Sequence, residues 1–209
     1  MLIAQDLGRN PERVVCAGMG WRVVSALEQR FNELLARLTA AGRDHARRAA
    51  VLEEYLAFAY AHHTEETVDI AAYAEDLADS YLALGRVDDA VRTVCDATAA
   101  GYGEGAVMLC ELAEKLMRSE HEAAARPLWE QARADQPDDV WVYVQAGIEY
   151  GDLGDHATAL CWLTPGLELA LRTGEPESAI EQLHPLRAAA LSALGREPDG
   201  LQRRAAGQA

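Results

Sequence analysis

The sequence predicts an all-α fold, a solenoid of antiparallel helix pairs, and three observations carry that prediction. Two amphipathic helical patterns meet at Gly85-Arg86 within the stretch 74–97, and the same layout recurs twice downstream at a period of about 34 residues. Half of the 209 residues are hydrophobic but only 6% are aromatic, and alanine is the dominant apolar type, a composition that suits close-packed helices better than sheets. Small residues, Ala78, Ala90 and Ala97, stand where two helices must approach closely.

Taken in order, residues 1–20 read as an N-terminal arm or a short helix. Asn10-Pro11-Glu12 is a helix start, with an Asn cap, Pro at the first helical position and an acid in the first turn, and Gly18 and Gly20 should end that helix. Residues 21–63 read as a degenerate helical hairpin. From Trp21 to Ala41, Val24, Leu27, Phe31, Leu34, Leu35 and Leu38 recur at helical spacing; Gly42 closes the helix and Asp44 caps the next. That second helix carries Val51, Leu52, Tyr55, Leu56, Phe58 and Ala59, with Arg47 where an alanine would be wanted.

Residues 64–173 form three regular units, at about 71–104, 106–139 and 140–173. Thr64-Glu65-Glu66 supplies an N-cap and acids that suit the helix dipole. The glycine-rich joint 101–105 is looser than a short inter-repeat turn and reads as a hinge. Residues 174–209 form a capping helix pair and tail, with Pro185 expected either to kink the first helix or to start it. A short helix after Pro198-Asp199 should precede a frayed end.

Charge is the second informative feature. Net charge is −15, from 34 acidic and 19 basic side chains, which repels nucleic-acid phosphates and anionic lipid and favours basic partners. Residues 1–50 hold eight arginines against five acids, a net of +3, so the remainder carries −18. Lys115 is the only lysine, a bias toward arginine that points to a GC-rich bacterial genome. Cys16, Cys95, Cys110 and Cys161 are widely spaced and read as reduced, buried thiols. With neither a leader-like N-terminus nor a membrane-length apolar run, a cytoplasmic protein is expected.

The units resemble the tetratricopeptide repeat (TPR). Leu77, Ala78, Tyr81, Gly85, Ala90, Val94 and Ala97 fall at the offsets of its pattern in the first unit. Leu112, Ala113, Leu116, Ala125, Trp129, Ala132 and Pro137 do so in the second, where Glu120 replaces the glycine of the turn. Tyr143, Ala146, Gly147, Tyr150, Gly154, Ala159, Leu163 and Gly166 do so in the third. Ala188, Leu191 and Gly195 form a weaker fourth match. The resemblance implies a right-handed superhelix whose concave groove is lined by the first helix of each pair. Carried over by offset, that groove takes Glu75, Asp79 and Leu82, then Glu111, Glu114 and Met117, then Trp141, Val144, Gln145 and Ile148.

The Lys, Asn and Arg with which some members of that family clamp a C-terminal carboxylate are missing from these positions. An acidic strip running into an apolar Trp141/Ile148 patch suits instead a basic or amphipathic helical segment, although the same acids equally suit a solvated helix face. The arginine-rich N-terminus is itself a candidate occupant, from its own chain or from a homodimer mate. The expected function is therefore a non-catalytic protein-interaction scaffold, with no cofactor and no nucleic-acid or membrane partner. The alternatives are a regulator that sequesters a basic protein and an accessory subunit of an enzyme whose active site lies on another chain.

No catalytic or metal constellation stands out. His62-His63 with Glu65-Glu66 reads as surface; His45, His121, His156 and His184 lie on separate helices; and the 101–105 loop lacks the Lys and Ser/Thr of a phosphate loop. Trp129 and Trp162 read as interhelical packing.

Overall fold

The structure is a computed structural model, and it describes residues 14–17, 20–23, 26–62, 69–174 and 177–207. Ten helices dominate them. The chain divides into two compact units, Met1–Gly85 and Arg86–Ala209, so that the boundary falls in the turn between the two helices of the first predicted repeat.

In the first unit, β1 (Val14–Ala17) pairs antiparallel with β2 (Gly20–Val23), Val14 opposite Val23 and Cys16 opposite Trp21. This corrects the short helix expected from Asn10-Pro11-Glu12, and the helix expected from Trp21 begins instead at Ala26. The overlooked signal is Gly18-Met19 between two runs rich in valine and tryptophan, residue types that favour strands over helices.

Helix α1 (Ala26–Ala41) packs against α2 (His45–His62), and α2 against α3 (Ile70–Ala83). Gly42 closes α1 with φ +56°, and Asp44 caps α2 by accepting from the Arg47 amide at 3.1 Å, both as expected. Leu34, Leu38, Val51, Leu52, Tyr55, Leu56 and Ala59 are buried, whereas Leu27, expected on the apolar face, is exposed. Arg47 is accommodated because it points to solvent and pairs with Asp44. Helix α3 starts at Ile70, capped by Asp69 through the Ala72 amide at 3.0 Å; Thr64, His63 and Glu65-Glu66 lie outside the described residues.

Arginine–carboxylate pairs tie the three helices. Arg30 of α1 bonds Glu54 of α2, Arg37 joins the same carboxylate at 2.6 Å, and Arg48 of α2 bonds Asp76 of α3. Arg30, Arg37, Arg47 and Arg48, four of the eight arginines of residues 1–50, thus have acidic partners inside their own unit.

The second unit contains α4 (Val87–Ala99), α5 (Gly105–Arg118), α6 (Glu122–Asp135), α7 (Val140–Asp152), α8 (His156–Thr173), α9 (Glu177–Ala193) and α10 (Gly200–Ala205). Helices α5 and α6 pair, as do α7 and α8. Helix α5 also packs on α7, α7 on α9, and α4 on both α5 and α6. Helices α5 and α7 therefore each touch a hairpin mate and the first helix of the next hairpin, which is how repeats that cannot bury a face alone share one core.

The small positions are required by that packing. Ala90, Ala97, Ala113, Ala125, Ala132 and Ala159 have no accessible surface. A Cβ added to Gly166 would lie 2.7 Å from the Tyr143 Cβ, and one added to Gly147 only 2.3 Å from a Leu163 methyl. Trp129 and Trp162 are buried, and the Arg133 guanidinium stacks 4.6 Å from the centre of the Trp162 ring. Pro185 lies inside α9 without breaking it, so no helix starts there.

The unit is closed by α10, whose anchor is a buried arginine. Arg187 of α9, 3% exposed, bonds Asp199, donates to Gln202 Oε1 at 3.1 Å and reaches Thr164 Oγ1 of α8 at 3.1 Å. Asp199 also caps α10, accepting from the Gln202 amide at 2.9 Å. One ion pair therefore fixes three helices.

Candidate functional site

The sequence points to one face of the first helix in each hairpin, and the second unit shows which residues of α5 and α7 reach that face. Helical geometry brings i, i+4, i+7 and i+11 onto one stripe. On α5 the stripe is Val107, Glu111, Glu114 and Arg118; 34 residues later, on α7, it is Trp141, Gln145, Ile148 and Asp152. Val107 and Trp141 are 44% and 40% exposed, unusual values for large apolar side chains in helices that are otherwise largely buried. Because α5 packs on α7, the two stripes lie side by side.

Two expected groove residues are corrected. Met117 is 1% exposed and Val144 2%, so both belong to the core. Each lies one residue from a stripe position, and one residue turns a side chain by about 100° around the helix, here into the packed interior. Glu111 and Gln145 are exposed, and Glu114 and Ile148 are half-buried. Val107, the repeat equivalent of Trp141, was missed; the 34-residue offset from Trp141 would have found it. In the first unit, Asp79 is exposed and Glu75 and Leu82 are half-buried.

The acids on this face are partly neutralised by their own neighbour. Arg118 bonds Glu114 one turn back and lies 3.6 Å from Glu149 of α7. Burial pushes the Glu149 carboxyl above the usual range, and Glu114 and Asp152 add to that while Arg118 opposes it. The face thus grades from Val107 and Trp141 at the start of the two helices, through Glu111 and Gln145, to an ionic cluster around Arg118 at their ends.

The cysteines are less uniform than expected. Cys110 is buried and burial pushes its thiol up to about 12; Cys95 is half-buried; Cys161 is exposed, which corrects the reading of it as a core thiol. No group of three metal-ligating side chains occurs among the described residues, and none of their helices is long and apolar enough to cross a membrane.

The turns recur at the repeat's spacing. At the glycine position of the family pattern, Gly85, Gly154 and Gly195 have φ of +72°, +77° and +65°, and Glu120 holds +63° in the second unit. The backbone just past that position repeats as well: His121, Asp155 and Arg196 donate to the carbonyls of Leu116, Tyr150 and Leu191 at 2.8, 2.9 and 2.9 Å. The fold is that of tetratricopeptide-type repeats.

No family model matches the chain, and no curated protein does. Solved structures do. The chain is similar to a putative kinesin light chain from Podospora anserina with nearly identical TPR-like repeats, at 20% identity over 86% of this chain and 92% of that one, with a TM-score of 0.49. It is similar to a mutant of MamA, at 15% identity over 87% of each chain, with a TM-score of 0.45. It is similar to TTC0263, a TPR protein of Thermus thermophilus, at 21% identity over 86% of this chain and 97% of that one, with a TM-score of 0.36.

Proposed function

We propose that this protein is a non-catalytic interaction scaffold whose α5/α7 face binds a basic amphipathic helical segment of another protein. The observation that carries the reading is the exposure of Val107 and Trp141 at equivalent positions of adjacent helices, beside Glu111 and Glu114. An amphipathic helix would lay its apolar stripe on Val107, Trp141 and Ile148 and bring Lys or Arg to Glu111, next to Glu114, which Arg118 already holds. Arg30, Arg37 and Arg48 of the chain's own N-terminal segment have partners in Glu54 and Asp76, so those three arginines do not compete for this face.

The test is fluorescence anisotropy with a labelled, Arg-rich amphipathic helical peptide, and with the same peptide carrying Glu for Arg. The expected result is saturable binding of the basic peptide alone, weakened roughly tenfold or more by Trp141→Ala, as for an aromatic anchor. Raising the salt concentration should weaken it further. Equal binding of the two peptides, or no effect of Trp141→Ala and Val107→Ala, would overturn the proposal.

A further inference from the structure

Away from the α5/α7 face, a cleft of about 390 Å³ opens between α8 and α10, lined by Glu168, Leu171, Arg172, Leu201 and Arg204. Its charge runs against its surroundings. Residues 86–209 hold 21 acids and 11 bases, a net of −10, yet the cleft gathers two guanidiniums and one carboxylate. In this unit Arg86, Arg92, Arg118, Arg126, Arg133 and Arg187 are in ion pairs; Arg172 and Arg204, like Arg196 and Arg203, are in none among the described residues, and both side chains are exposed. Glu168 stands one turn before Arg172 without coming within ion-pair distance of either arginine. The remaining lining is apolar, with Leu201 buried and Leu171 half-buried.

The wall of the cleft is held independently of its lining. Helix α10 is fixed by Arg187, Asp199, Gln202 and Thr164, none of which lines the cleft. The cleft is therefore shaped by contacts outside its lining, and its two arginines are available as donors rather than as structural ties.

We propose that this cleft binds an amphiphilic monocarboxylate, the carboxylate between Arg172 and Arg204 and the aliphatic tail on Leu171 and Leu201. Planar guanidiniums match a carboxylate, and a leucine floor removes a short alkyl chain from water. Glu168 sets the charge limit: it leaves a net of +1, enough for one negative charge and repulsive to a second.

The probes are octanoate and octylammonium, titrated into the full-length protein by calorimetry and followed by amide chemical shifts. Saturable octanoate binding is expected, with shifts confined to α8 and α10. Arg172→Gln and Arg204→Gln should each weaken it roughly tenfold, the loss of one charge-assisted contact. Glu168→Gln should tighten it. Arg203→Gln, on the same short helix but with its guanidinium on the Pro198 carbonyl at 2.6 Å, should leave it unchanged. Absence of saturable octanoate binding, equal binding of octylammonium, or an affinity indifferent to Arg172→Gln and Arg204→Gln would overturn the proposal.

Discussion

Glu120 holds the backbone conformation that Gly154 holds one repeat later. Their φ angles are +63° and +77°, and the amides that follow, of His121 and Asp155, close onto the Leu116 and Tyr150 carbonyls. A side chain in the left-handed region carries a steric penalty of about 1–2 kcal/mol that glycine avoids. Glu120→Gly should therefore raise stability by about 1 kcal/mol, after allowing for the greater freedom glycine has in the unfolded chain. Chemical denaturation measures this, and a lower midpoint for the variant would contradict the shared turn geometry.

Gly166 makes the opposite case. The helix itself would gain about 1 kcal/mol from alanine there. The new Cβ, however, would stand 2.7 Å from the Tyr143 Cβ and 3.3 Å from a Leu183 methyl, and the first of these is rooted in the α7 backbone. Overpacking of this kind costs about 1–3 kcal/mol. Gly166→Ala should lower the melting temperature, while Gly151→Ala, which meets no atom within 4 Å, should raise it.

Arg187 and Asp199 predict a pH-dependent C-terminal cap. The Arg187 hydrogen bond, with the Gln202 amide, holds the Asp199 carboxyl down to about 2. A depressed carboxyl contributes stability that is fully present above its unfolded value near 4 and is lost as pH falls through its folded value. Protection of the α10 amides in hydrogen exchange should therefore fall between about pH 4 and pH 2 in the wild type. Asp199→Asn should remove that step. Arg187→Met should loosen α10 at every pH, by less than the roughly 3–5 kcal/mol of a broken buried pair, because Asp199 is 45% exposed and stays hydrated.

Trp141 should separate binding from folding. At 40% exposure its truncation removes little buried surface, so Trp141→Ala should shift stability by less than about 1 kcal/mol while removing the apolar end of the proposed docking face. Met117→Ala, which opens a cavity in the core, should cost about 2–5 kcal/mol. Comparing the two melts checks the assignment of one residue to the surface and the other to the interior.

From Ala26 onward, helix type and turn position are legible in the sequence because each rests on local chemistry. The offset of Glu120 from Gly85 and Gly154 marks a turn, and Ala90, Ala125 and Ala159 mark the seams where no larger side chain fits. The N-terminal hairpin is not legible in the same way. A good helix start at Asn10-Pro11-Glu12 outweighs the strand preference of Val14, Val15, Trp21 and Val23; pairing between two segments, which no single segment displays, decides that contest.

The sequence by itself determined a repeat of paired helices, its period, its small-residue seams and the acidic sign of the second unit, all properties of spacing and composition. Only the tertiary structure decided which side chains of those helices are free to meet a partner. Glu114 and Met117 lie three residues apart on α5, and Val144 and Gln145 are neighbours on α7, yet one of each pair faces water and the other the core. That division depends on where the next helix packs. The same holds for the α8/α10 cleft, whose five residues share no motif and meet because Arg187 holds α10 against α8 and α9.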